Sequence, residues 1–191
     1  MNYLKKRGLE ISDVYKWKMG FCYEGKYKNR IIVPSFDIEG ELNYFIARSF
    51  IKNKIKYLNP RSSKDITFNE LMVNWAAPIT LVEGVFDAMK LENSIPLLGS
   101  TLPIGGSLFK QIICKKPVVY IGLDSDAQLK EEKIIKNLLL YGITVYKMQV
   151  PHGHDVGSLS KEQCKFIKQK ASFVDGTDYL LYHKIFSEAL T

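Results

Sequence analysis

The stretch "VVYIGLDSDAQ", residues 118–128, carries an aliphatic and aromatic run into two aspartates set one residue apart, Asp124 and Asp126. β-Branched and aromatic side chains suit a strand buried on both faces, and such a strand has no use for charge at its tip. Two carboxylates about 5 Å apart repel by roughly 3 kcal/mol at an effective dielectric of 20. A chain that keeps them there either caps a turn with them or offsets them with a cation. Taken alone, the pair reads as a cap.

The surrounding sequence gives the strand its neighbours. Before it come "ITLVEG" and "IPLLGS", each a strand followed by a helical stretch, "VFDAMKLEN" and "GGSLFKQIICKK". After it come a long helix, "AQLKEEKIIKNLLLYG", and a fourth strand, "ITVYKMQV". Strands alternating with helices predict an α/β fold, a parallel sheet flanked by helices. The loop "PHGHDVGSLS" leads into "KEQCKFIKQKA", whose start reads as a capping box from Ser160 to Gln163. A last helix, "DYLLYHKIFSEAL", would cover the sheet or dock a partner through Leu180, Leu181, Ile185 and Leu190.

Upstream of Pro78 the rhythm differs. "YLKKRGLEISDVYKWKMGF" predicts short helices, with Ser12 as an N-cap and Leu9, Val14 and Trp17 on one side. "RIIVPSF" and "ELNYFIARSF" flank "DIEG" as a hairpin, and "KIKYLNP" predicts a third strand. Residues 1–77 are thus expected to form a smaller mixed α+β subdomain, residues 78–175 the α/β domain and residues 176–191 a C-terminal helix. Trp17 and Trp75 are expected in the core.

Composition narrows the function classes. With 46% apolar residues in 191, a real core is available. "MNYLKKRGLE" has no apolar signal-peptide core, and no apolar run approaches the roughly 18 residues that span a bilayer; a soluble, cytoplasmic protein without membrane partners is expected. Cys22, Cys114 and Cys164 are far apart with no CxxC pair, so neither a disulfide framework nor a zinc site is expected in this chain. Residues 1–77 hold 14 Lys/Arg against 8 Asp/Glu, and residues 78–191 hold 13 against 12. A basic half beside a balanced one suits a polyanion-binding surface, although a solvated face has the same composition.

Ligands of open parallel sheets sit outside the carboxyl ends of the strands. The first α/β strand ends at Glu83 and Gly84, with Asp87 one helical turn on; the third ends at Asp124 and Asp126; the loop after the fourth carries Asp155. Five carboxylates from three segments then meet at one edge. Hard divalent cations, which prefer oxygen donors, would turn that repulsion into binding. Each piece has a plainer reading: Glu83 and Asp87 answering a helix dipole, Asp155 capping a turn. The ordered set is far more specific than its parts. His152 and His154, in a loop with Pro and Gly, are read as bystanders, and Lys165, Lys168 and Lys170 as a solvated helix face.

"VEGVFDAMKL", "LLGST", "IGLDSDAQ" and "GHDVG" resemble the successive motifs of the Toprim domain found in topoisomerases, bacterial-type primases and some nucleases. "YLKKRGLE", "RIIVPSFDIEGELNYFIARSF" and "KYLNPRSSKDITFNELM" resemble the basic subdomain that precedes Toprim in bacterial and phage DnaG-like primases. The likeness runs over residues 3–165 in the family's order. Two departures stand out: Val156 replaces the usual proline after the last aspartate, and the family's zinc-binding and helicase-binding modules have no counterpart here.

The resemblance implies synthesis of short RNA primers on single-stranded DNA from NTPs. It implies Mg²⁺ or Mn²⁺ held by Asp87, Asp124, Asp126 and Asp155, with Glu83 as a ligand or the acid/base residue. Gly84 would allow close approach. Arg30, Arg48 and Lys56 match positions lining the groove for template and nucleotide, with Tyr57 and Asn59 at a base or sugar. Start-site choice and robust priming would need a zinc-bearing primase module or the replicative helicase. The alternatives are a Toprim nuclease with water as nucleophile and a non-catalytic single-strand-binding or helicase-associated subunit.

Overall fold

The structure is a computed structural model describing residues 2–99, 101–177 and 179. The chain divides into two compact units, one through Val73 and one from Asn74.

In the first unit, helices α1 (Asn2–Lys6) and α2 (Ile11–Lys16) precede a three-stranded antiparallel sheet of β1 (Gly20–Cys22), β2 (Arg30–Phe36) and β3 (Leu42–Ser49), in that order. The β2–β3 hairpin is the predicted one and turns through Gly40, whose φ of +87° lies where only glycine rests without strain. Ile31, Val33, Tyr44, Ile46 and Ala47 are buried, and Leu4, Leu9 and Trp17 join the core.

Three expectations are corrected. The N-cap of α2 is Glu10, not Ser12: the Glu10 N–H donates to Asp13 Oδ2 at 2.8 Å, so the helix starts two residues earlier. Trp75 is only half-buried. "KIKYLNP" is not a strand but a single bridge, Arg48 to Tyr57. Asn53 Oδ1 accepts from the Ile55 N–H and turns the chain, while the Arg30 guanidinium takes the Ile55 and Lys56 carbonyls. The third strand of this sheet is β1 instead.

The second unit is built on a sheet with strand order β5-β4-β6-β7-β8, of β4 (Ile79–Val82), β5 (Ser94–Pro96), β6 (Val119–Gly122), β7 (Val145–Lys147) and β8 (Ser172–Phe173). The first four run parallel. β8, unforeseen from the sequence, pairs antiparallel at the edge. Helices α3 (Val85–Ala88), α4 (Ser107–Lys115), α5 (Gln128–Leu140) and α6 (Lys161–Gln169) complete the unit.

All four residues of β4 are buried, as a central strand covered on both faces requires. One face meets α3, where Ser94 Oγ donates to the Ala88 carbonyl, and α6, where Lys168 Nζ lies 5.0 Å from the Tyr120 ring centre. Lys168 is therefore half-buried rather than solvated, and burial lowers its pKa. On the other face α5 packs Ile134, Ile135 and Leu138 inward. It also buries Glu131, whose Oε2 lies 2.7 Å from Lys147 Nζ. Each fully buried aliphatic side chain contributes about 1.5–3 kcal/mol before its entropy loss. The Ser160–Gln163 capping box starts α6: Gln163 N donates to Ser160 Oγ at 3.2 Å and Ser160 N to Gln163 Oε1 at 2.8 Å. The surface expected of Leu180, Leu181, Ile185 and Leu190 lies outside the described residues. Among the described residues no helix is long and apolar enough to cross a membrane.

Candidate active site

Strand order decides where a ligand goes. From β4 the chain crosses to β5 on one side, then returns to lay β6 on the other, so the order reverses between β4 and β6. The crevice outside the carboxyl ends at such a reversal is the usual ligand site of an open α/β sheet. Val82 pairs with Gly122, so β4 and β6 leave the sheet side by side. Glu83 follows directly from one and Asp124, two residues on, from the other. Gly122 is glycine because a Cβ there would stand 3.1 Å from the sulfur of buried Met148.

Asp87 is held against the end of β4, its Oδ2 accepting the Gly84 N–H at 2.7 Å. A Cβ on residue 84 would meet that oxygen at 3.0 Å, so glycine admits the Asp87 carboxylate rather than a ligand. Asp155 Oδ1 accepts the Ser158 N–H at 2.6 Å and caps the 3-10 turn Val156–Ser158. Asp155 thus caps a turn, as its plain reading has it, and Asp87 caps the start of α3; each capping bond uses one carboxylate oxygen.

Asp124 differs. Its Oδ1 is buried with no hydrogen-bond partner. Burial pushes its pKa up to about 7, reinforced by the charges of Asp87, Glu83, Asp155 and Asp126. A carboxylate oxygen left without a donor in a field of four other acids is costly unless it is protonated or meets a cation. Asp124, Asp126 and Asp155, with Ser125, His152, Gly153 and His154, line an open pocket of about 390 Å³. That is within the size range of small-ligand pockets. Among the described residues no three His, Cys, Asp or Glu side chains are gathered into a metal-ligating group. The hard oxygen donors and the orphaned Asp124 oxygen nonetheless fit a divalent cation.

In the first unit the expected nucleotide-binding residues fall into two groups. Arg30 is buried, and its Nη1 and Nη2 donate to the carbonyls of Ala47, Lys56 and Ile55 at 3.0–3.2 Å. It ties the 55–57 segment to β3. Asn59 Oδ1 accepts the Ala47 N–H at 3.1 Å and fastens the same segment from its other end. Lys56 and Tyr57 are exposed between these anchors. The Arg48 guanidinium lies 4.6 Å from the Tyr57 ring centre, and its Nε donates to Tyr3 Oη at 2.9 Å. Arg7 Nε donates to the same oxygen, also at 2.9 Å. Sequence reasoning did not single out Tyr3 or Arg7; both lie within the quoted "YLKKRGLE", but nothing in its spacing shows that they meet Arg48. Arg30→Ala should lower stability by ~2–4 kcal/mol in chemical denaturation, because three carbonyls lose a charged donor. A loss under ~1 kcal/mol together with impaired nucleic-acid binding would instead make Arg30 a direct phosphate contact.

No protein-family model matches the chain. It is 24% identical over 174 residues to the DNA primase of Staphylococcus aureus (strain COL), covering 81% of this chain and 29% of that protein. Among solved structures it is similar to the DnaG primase catalytic domain bound to ssDNA, with a TM-score of 0.77 at 17% identity over 95% of this chain and 74% of that one. The Aquifex aeolicus primase (zinc-binding and RNA polymerase domains) gives a TM-score of 0.75 at 19% identity, over 91% of this chain and 56% of that one. The chain therefore has the α/β fold of the DnaG-type primase catalytic core. It spans just under a third of the length of the curated primases it matches.

Proposed function

We propose that the chain is a DNA primase catalytic core that joins ribonucleotides into short primers on single-stranded DNA. The observation that carries this reading is the orphaned Asp124 oxygen among five carboxylates, at the strand-order reversal of a primase-core fold. Glu83, Asp87, Asp124, Asp126 and Asp155 would hold Mg²⁺ or Mn²⁺; bound there, the cation supplies charge neutralisation and a lower pKa for the attacking 3′-hydroxyl. The capping bonds of Asp87 and Asp155 hold their carboxylates in place before substrate arrives, which is how positioning lowers the barrier of in-line phosphoryl transfer. Glu83 serves as a further ligand or as the acid/base group.

Arg48 and Lys56 suit template and nucleotide phosphates, the first as a planar fork and the second as a point charge. Tyr57 offers a ring to a base or sugar. Arg30 and Asn59 act through the 55–57 segment that they anchor. The matched structures support this reading: one is a DnaG catalytic domain bound to ssDNA, and another includes a zinc-binding domain. The three cysteines here make no such site by their spacing, so start-site choice falls to a zinc-bearing module or the replicative helicase outside these 191 residues. The setting is the cytoplasm, that of a bacterial host for a phage protein.

Extension of an RNA primer annealed to single-stranded DNA, with Mg²⁺ and NTPs, separates this reading from a nuclease with the same acids. Ribonucleotide addition without nicking is the expected result. Metal-dependent nicking without addition would replace the proposal with the nuclease.

A further inference from the structure

The acids leave two side chains of the same pocket unused. His152 and His154 are exposed in the 151–155 loop and line the pocket with Asp124, Asp126 and Asp155. The surroundings of His154 favour one tautomer. Its Nδ1 lies 3.4 Å from Ser158 Oγ, and that hydroxyl donates its own hydrogen to the Asp155 carbonyl at 2.8 Å. Ser158 Oγ can then only accept from Nδ1–H, which leaves the Nε2 lone pair free. A ligating histidine is typically oriented in this way, its other nitrogen donating to a fixed oxygen.

We propose that His152 and His154 add nitrogen donors to the acid pocket and so set its cation preference toward Mn²⁺ or a later first-row divalent ion over Mg²⁺. The inference rests on the acids being the cation site. Imidazole is a poor ligand for Mg²⁺, which keeps oxygen donors and water, and a better one for the later divalent metals. Adding two imidazoles to three carboxylates strengthens the pocket for Mn²⁺ and leaves Mg²⁺ nearly unaffected. The donors line one pocket but, among the described residues, are not gathered around a single point. Gly153, between the two histidines, turns the loop with φ +78°.

The test is Mn²⁺ binding to the whole chain, read by the loss of the free-ion EPR signal, with Mg²⁺ as competitor. Wild type should prefer Mn²⁺ by at least about tenfold. His152→Ala/His154→Ala should lose most of that preference while keeping its Mg²⁺ affinity within about twofold. Pulsed EPR should show ¹⁴N coupling to the bound Mn²⁺ in wild type and none in the double variant. Both histidines are exposed, so the variant should melt as wild type does without metal. Equal binding of the two ions by wild type, with no nitrogen coupling, would overturn the histidine inference and leave the acid site standing. Failure of wild type to bind either ion would overturn the acid site itself.

Discussion

Asp124→Asn is expected to reduce primer extension by at least ~10³-fold and, in the same protein, to raise the metal-free melting temperature. The first effect follows from removing a central cation-holding carboxylate: about 4 kcal/mol of lost transition-state stabilisation is ~10³ in rate. The second follows from Asp124's environment. Its pKa rises from 3.8 to about 7 on folding, first through burial and then through Asp87, Glu83, Asp155 and Asp126. For a group raised in the folded state, the stabilisation is fully present below the unfolded pKa and is lost as pH climbs through the folded one. Metal-free wild type should thus lose melting temperature between about pH 4 and pH 8. The asparagine variant should lose less, and Mg²⁺ or Mn²⁺ should restore wild type far more than the variant. Equal pH slopes in the two proteins, or a wild-type melting curve indifferent to both metals, would show that Asp124 is not at the centre of a cation site.

The second large effect concerns nucleic acid. Arg48→Ala/Lys56→Ala should weaken single-strand binding by roughly 10–100-fold at low salt, and should flatten the dependence of log affinity on log salt by ~1.4, two phosphate contacts at ~0.7 each. Arg48→Lys should keep the salt slope and still bind more weakly, because a lysine replaces neither the planar contact with Tyr57 nor the Nε bond to Tyr3. Asp126→Asn should leave metal-free binding unchanged or tighter. Full affinity in the double alanine variant, with an undiminished slope, would move the binding surface away from the 55–57 segment.

The parallel sheet was legible because β4 and β6 read as short runs rich in β-branched and apolar residues with acids at their tips, a pattern that needs no tertiary information. β8 was not legible: two residues carry no period, and the strand exists through its pairing with β7. "KIKYLNP" shows the opposite failure. Its alternation suits a strand, but a buried guanidinium from a residue more than twenty positions earlier claims its carbonyls. Arg30 entered the reading by its match to a family groove position, and its burial against three backbone carbonyls was not legible, because sequence reports charge and not burial. At the acid site, residue types and order were readable while the division of labour was not. Asp87 and Asp155 double as caps, and Asp124 is the acid with the orphaned oxygen. The Toprim-like order of motifs located the edge of the sheet; the reversal between β4 and β6 explains why it is that edge.

The most direct measurement is incorporation of labelled ribonucleotides on a circular single-stranded DNA template with Mg²⁺ or Mn²⁺, comparing wild type with Asp124→Asn in the presence of a zinc-bearing primase module or the replicative helicase. Short RNA chains bearing a 5′-triphosphate, made by wild type and absent with Asp124→Asn, are the predicted result. Ribonucleotide incorporation that survives Asp124→Asn, or a folded, metal-loaded wild type that makes no RNA and cuts the template instead, would contradict it.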